Sequence, residues 1–117
     1  MYMIIKECDT KKGTNEKPRG GHGLIHGMQY LVGDEITNKI KIVMANDLEI
    51  GAMIGEHTHT DDEEFYYIIS GQGSVIDDGM VKKVSAGDLI YTGSGHSHSL
   101  ENIGDTKLKF LAIIVEK

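Results

Sequence analysis

The chain has a single cysteine, a single proline and no tryptophan in 117 residues. Cys8 alone can form neither an internal disulfide nor a paired-thiol redox or zinc site, so nothing in cysteine usage asks for an oxidising compartment, and a cytoplasmic location is the expectation. Long apolar runs are also missing. The first, Met1–Ile5, is too short for the core of a signal peptide or for a membrane span. Positive charge is scarce: 12 Lys and Arg against 18 Asp and Glu leave a net charge of −6, which repels nucleic-acid phosphates and anionic lipids alike. Neither nucleic acid nor a membrane surface is an expected partner. No stretch sustains the i, i+3, i+4, i+7 apolar spacing of an amphipathic helix, which excludes a helical bundle.

What is present is glycine, 15 residues of it, within a chain that is 39% hydrophobic and 26% charged. That balance suits one globular domain spanning residues 1–117, with many turns and close backbone approaches. Residues 1–21 read as a first short strand followed by a polar surface arm, Asp9 to Gly21. Period-2 runs follow at Leu24–Val32 and Ile40–Ile50, separated by turn residues Gly33-Asp34 and Asn38. Further runs lie at Phe65–Ser70, Val75–Val81, Leu89–Thr92, Ser97–Asn102 and Leu108–Val115. In the last, Leu108, Phe110, Ala112 and Ile114 share one face. Asp78-Gly79 supplies the positive φ angles of a tight hairpin turn. The fold class is all-β, with about nine to eleven short strands in a sandwich or barrel.

Chemistry concentrates in the histidines. His57 and His59 are two apart, so in an extended chain both imidazoles face the same way, at a separation one metal ion can span. Asp61, Asp62, Glu63 and Glu64 follow directly, and a carboxylate adds a hard oxygen donor to nitrogen ligands. Another HxH pair, His96 and His98, lies downstream. No GxSxG elbow, phosphate-binding glycine loop or cysteine nucleophile is present, so chemistry in this chain would be metal-centred.

The wider spacing carries more. Gly51 is followed by His57, His59, Glu64 and Gly71 in the pattern G-x5-HxH-x4-E-x6-G. Gly87 is followed by Gly93, Gly95, His98 and Asn102 in the pattern G-x5-GxG-x2-H-x3-N. These two strings resemble the paired motifs of the cupin superfamily, with Gly93 standing where the family pattern has proline. The resemblance covers residues 51–102, a two-motif metal-binding core with a compact hairpin between the motifs. It implies a conical β-barrel of the jelly-roll or double-stranded β-helix type. It also implies a divalent transition metal (Fe, Mn, Ni, Co, Zn or Cu) held by His57, His59, Glu64 and His98, and a homodimer. Glu63 fits a looser version of the first motif, but Glu64 alone keeps the spacing to Gly71.

Three imidazoles and one carboxylate around a divalent ion make a net +1 site with coordination positions left over, which suits a small carboxylate or keto compound. The expected function is a metal-dependent small-molecule enzyme of the small-cupin type, an oxygenase, isomerase, decarboxylase or lyase. The alternative is a non-catalytic cupin module that binds or senses a metal or metabolite. Tyr66, in phase with Glu64, and His96 and His26 are the candidates for contacting substrate or supporting the ligands. Met44, Met53 and Phe110 are candidates for the pocket wall. His22 and Cys8 carry no assigned role.

Overall fold

The computed structural model describes residues 4–33 and 39–116. Among the described residues ten strands form two antiparallel sheets: β1 (Lys11–Glu16), β2 (Leu24–Val32), β3 (Ile40–Leu48), β4 (Met53–Thr58), β5 (Asp62–Ser70), β6 (Gln72–Asp77), β7 (Met80–Ser85), β8 (Leu89–Thr92), β9 (Ser97–Asn102) and β10 (Leu108–Glu116). The larger sheet has the order β1-β2-β3-β10-β5-β8 and the smaller β4-β9-β6-β7. Consecutive strands β4 and β5 lie in different sheets, so the chain crosses the barrel between them. That crossing builds the site.

The apolar alternation decides which faces meet. Leu48, Ile54, Tyr66, Ile68, Val75, Leu100, Leu108 and Phe110 are all buried, and they come from both sheets. Removing each large side chain from water contributes about 1.5–3 kcal/mol. In β5 the buried residues are Glu64, Tyr66 and Ile68, while Tyr67 and Ile69 stay exposed. In β10 they are Leu108, Phe110 and Ala112, the face the sequence periodicity marked. Because β5 and β10 pair with Tyr66 opposite Ala112, their inner faces form one wall of the barrel. The β6–β7 hairpin turns at Asp78-Gly79, with φ values of 48° and 85°, as the sequence predicted.

Two expectations meet a different outcome at the N-terminus. The strand expected in Met1–Ile5 lies partly outside the described residues, and Ile4 and Ile5 are not in a strand. The polar stretch Asp9–Gly21, expected as a surface arm, instead contains β1, paired along its whole length with β2. A strand of this composition (KKGTNE) has every residue exposed, so backbone pairing rather than apolar burial holds it in place. It is followed by a single 3-10 turn, Pro18–Gly20, that packs against β4. The turn expected at Gly33-Asp34 and Asn38 falls largely outside the described residues.

Candidate metal centre

His57 lies near the end of β4 and His98 in β9, directly opposite each other in the antiparallel ladder. His59 lies just beyond β4, in the crossing between sheets, and Glu64 lies on the inner face of β5. The smaller sheet, the crossing and the larger sheet thus each supply donors, and all four donor atoms fall within 4.8 Å of one another. His98 Nε2 is 3.0 Å from His57 Nε2 and 3.1 Å from His59 Nε2. Glu64 Oε1 is 2.9 Å from His59 Nε2, 3.1 Å from His98 Nε2 and 4.0 Å from His57 Nε2.

These distances have a simple reading. Donors placed about 2.1 Å from one ion are about 3.0 Å apart when adjacent in an octahedron and about 4.2 Å apart when opposite. Four of the five separations match the spacing of neighbouring donors around one ion, and the fifth, between Glu64 and His57, is longer.

The outer nitrogens settle which lone pairs face inward. His57 Nδ1 donates to the Gly55 carbonyl at 2.8 Å and His59 Nδ1 donates to Asp62 Oδ1 at 2.8 Å, because a carbonyl and a carboxylate can only accept. In a neutral ring the Nε2 atom is then an unprotonated acceptor. His98 Nδ1 lies 2.7 Å from the Thr92 hydroxyl, which completes the set of outer anchors. Two bare imidazole lone pairs and a buried carboxylate aimed at one point repel unless a cation stands between them. The residues present therefore fit a divalent transition metal. Burial, chiefly, lowers the His57 pKa and keeps that ring neutral, with the charges of His98, Arg19 and His59 acting in the same direction against the Gly55 hydrogen bond. Asp62 is held below the ordinary carboxylate range: burial works against this, and hydrogen bonds from His59 and Lys41 outweigh it.

Tyr66 stands behind the cluster. Its ring stacks on His98, with centroids 4.8 Å apart at 17°, and meets the edge of Phe110. Its pKa lies well above the ordinary phenol value, first because the ring is buried and next because the Glu64 carboxylate lies nearby. Tyr66 thus keeps its proton beside the carboxylate.

A cavity of about 580 Å³ opens on the cluster. Met44, Ile54, Tyr66 and Phe110 are among the apolar parts of its wall, and His57 and Glu64 stand at its base. Met53 is not part of that wall. Lys11, Lys17 and Arg19, from β1 and the segment after it, also line it.

The other candidates go elsewhere. His26 points to the opposite face of β2 from the cavity-lining Ile25, Gly27 and Gln29, because strand side chains alternate. There it bonds Glu49 Oε2 at 2.5 Å and Thr14 Oγ1 at 2.8 Å. His96 is exposed, and its Nδ1 lies 2.6 Å from Asp78 Oδ2. Its backbone carbonyl, not its ring, serves the site, by accepting the His59 N–H at 3.1 Å. Glu63 alternates to the outer face and accepts from the Tyr91 hydroxyl. The Gly93–Gly95 segment, without the family's proline, is held by backbone bonds from His96 N to Gly93 O and from Gly95 N to His59 O.

Asp62, Thr92 and the Gly55 carbonyl were not singled out in the sequence. Asp62 was visible only as one of four adjacent acids, and Thr92 only as the end of the expected strand Leu89–Thr92; its pairing with Glu64 in the β5–β8 ladder came from the structure.

Comparison with known proteins finds relatives of this chain. The family model described as Cupin domain matches residues 46–114. The oxalate-binding protein of Thermotoga maritima is 34% identical over 113 residues, covering 97% of this chain and 93% of that protein. A crystal structure described as a predicted oxalate decarboxylase from Thermotoga maritima superposes with a TM-score of 0.93 at 34% identity, covering 98% of this chain and all of the other. Oxalate decarboxylase OxdC of Bacillus subtilis is 34% identical over 74% of this chain, which corresponds to 25% of that enzyme.

Proposed function

From the premise that the chain belongs to the cupin family, we propose that it is a metal-dependent enzyme acting on a small carboxylate or keto acid of the oxalate class. The observation that carries this reading is the convergence of His57, His59, Glu64 and His98 at the base of an open cavity. A bound divalent ion would supply Lewis-acid polarisation of carboxylate or keto oxygens. The side chains do the rest. His57, His59 and His98 stay fixed through Gly55, Asp62 and Thr92, Tyr66 keeps its proton beside Glu64, and Met44, Ile54 and Phe110 keep water from the inner side of the ligand. The full-length likeness to an oxalate-binding protein supports the ligand class.

A second reading, binding without turnover, is favoured by a specific feature of the wall. Among the described residues that line the cavity, Glu16 is the only carboxylate besides Glu64, and His57 the only imidazole, so a free general acid or base is scarce there. The two readings separate in one experiment. Protein loaded in turn with Mn2+, Co2+, Fe2+ and Zn2+ is titrated with oxalate by calorimetry and assayed for formate and CO2 release. Binding with product supports the enzyme, binding without product supports the module, and no binding with any metal overturns both.

The partner proposed for the outer face of the larger sheet is a second copy of the chain. Tyr67, Ile69, Leu89 and Tyr91 are exposed there, with Tyr67 opposite Leu89 and Phe65 opposite Tyr91 in the ladder. Sedimentation of the wild type and of Tyr67→Glu tests this: a dimer converted to monomer supports it, and a monomeric wild type overturns it.

A further inference from the structure

The net charge of −6 makes the composition of the cavity mouth unexpected. Lys11, Lys12, Lys17 and Arg19 line it against a single outer acid, Glu16. Lys12 is already engaged, its Nζ donating to the Glu7 carbonyl and the Thr10 hydroxyl. Arg19 is different. It is the only arginine in the chain, it is exposed on the cavity side, and its charge acts on both His57 and Tyr66.

The backbone there is held in an uncommon shape. Arg19 has φ 53° and ψ 34°, and Lys17 has φ 52° and ψ 54°, left-handed conformations that non-glycine residues avoid. Two glycines make room for this turn. A Cβ on Gly55 would lie 2.2 Å from the Arg19 carbonyl oxygen, and one on Gly21 would lie 1.8 Å from the Met53 carbonyl oxygen. The turn is closed by bonds from Gly20 N to Lys17 O and from Gly21 N to Pro18 O, and tied to β4 through the reciprocal bonds of His22 and Met53. Gly55 therefore has two roles: its carbonyl orients His57, and its missing side chain lets the Arg19 turn sit directly over β4. The backbone that carries Arg19 thus packs on the residue whose carbonyl orients a candidate metal ligand.

We propose that Arg19 is the specificity-determining residue of the cavity, reading the outward carboxylate oxygens of a ligand chelated at the metal and so favouring dicarboxylates over monocarboxylates. This rests on the reading of the cluster as a carboxylate-binding metal site. A dicarboxylate that chelates through one oxygen of each carboxylate leaves two oxygens facing away from the ion, and the planar guanidinium matches such a pair with two parallel N–H donors. An α-hydroxy monocarboxylate leaves one, and gains less.

The test uses the full chain loaded with Co2+, titrated with oxalate and separately with glycolate, with metal content measured by elemental analysis. Arg19→Gln is expected to keep one Co2+ and weaken oxalate binding about 10- to 100-fold, the range for loss of charge-assisted hydrogen bonds, with a far smaller loss for glycolate. Arg19→Lys, which keeps the charge without the fork, is expected to fall between. Lys17→Gln is expected to weaken both ligands to the same degree. An unchanged oxalate-to-glycolate ratio in both Arg19 variants, with metal retained, overturns the proposal and leaves the metal-site reading standing. Loss of the metal in both variants also overturns it. Failure of wild-type Co2+ protein to bind either anion overturns the proposal together with the reading beneath it.

Discussion

His57 and His98 are cross-strand partners, and their Nε2 atoms lie 3.0 Å apart. An antiparallel ladder places directly opposed side chains on the same face, so two histidines separated by 40 intervening residues become neighbours through sheet register alone. The register also determines what happens when either is removed. His57→Ala or His98→Ala leaves an incomplete donor set, and stoichiometric metal binding is expected to be lost. Elemental analysis of protein purified without chelators checks this, and a full complement of metal in either variant would count against the assigned ligands.

Asp62 would act on a bound ion only through His59, whose Nδ1 it holds. Asp62→Asn keeps the size of the side chain but weakens the anchor on Nδ1, so metal affinity is expected to fall about 10- to 100-fold, the usual cost of losing a partner to a metal-bound histidine. Competition against a chromophoric chelator gives the affinity. Unchanged circular dichroism would show that the fold is not the cause.

Gly21 touches β4 where no Cβ fits. Gly21→Ala is expected to push the Pro18–Gly20 turn off the strand, lowering stability by about 1–3 kcal/mol and weakening anion binding more than metal binding. Urea unfolding and paired titrations of metal and oxalate measure the two effects separately. Gly20→Ala is the contrast: its added Cβ meets open space, so the only strain is at its own φ of 76°.

The exposed pair Asp78 and His96 gives a pH dependence outside the metal centre. The Asp78 carboxyl is held below its ordinary value of 3.8, first by the hydrogen bond from His96 and next by the Ser97 N–H. A carboxylate depressed in the folded state adds stability above the unfolded pKa, and that stability is lost as pH falls through the folded value. Asp78→Asn tolerates the same positive φ, so wild type is expected to be the more stable at neutral pH, with the difference vanishing below the ordinary carboxylate range. Thermal melts at stepped pH test the sign. A difference that grows on acidification would refute it.

Buried Leu100 offers a check on the core itself. It is fully enclosed, and Leu100→Ala is expected to cost about 2–5 kcal/mol, read from the urea midpoint of the metal-free protein. A loss below 1 kcal/mol would mean that the two sheets close around the void.

The fold class and the candidate ligands were legible because both are periodic. Alternation along Leu108–Ile114 marks a buried strand face whatever it packs against, and the two glycine-spaced histidine strings mark positions 57, 59, 64 and 98 through their resemblance to the cupin motifs. Glu64 rather than Glu63 followed from spacing, and strand parity gives the physical reason, since adjacent residues face opposite sides of a sheet. The pairing of β1 with β2 was not legible. A strand with no apolar face is held by backbone hydrogen bonds, and those leave no mark in hydrophobic pattern.

By itself, then, the sequence determined an all-β chain carrying three imidazoles and a carboxylate in two spaced clusters. Only the tertiary structure decided which Nδ1 atoms are anchored, that His26 and His96 turn away, and that a basic turn from the N-terminal segment lines the cavity. Those outcomes depend on which strands lie side by side and on where Gly21 and Gly55 let two backbones touch. Both are properties of pairing between segments distant in the chain, and no local pattern encodes them.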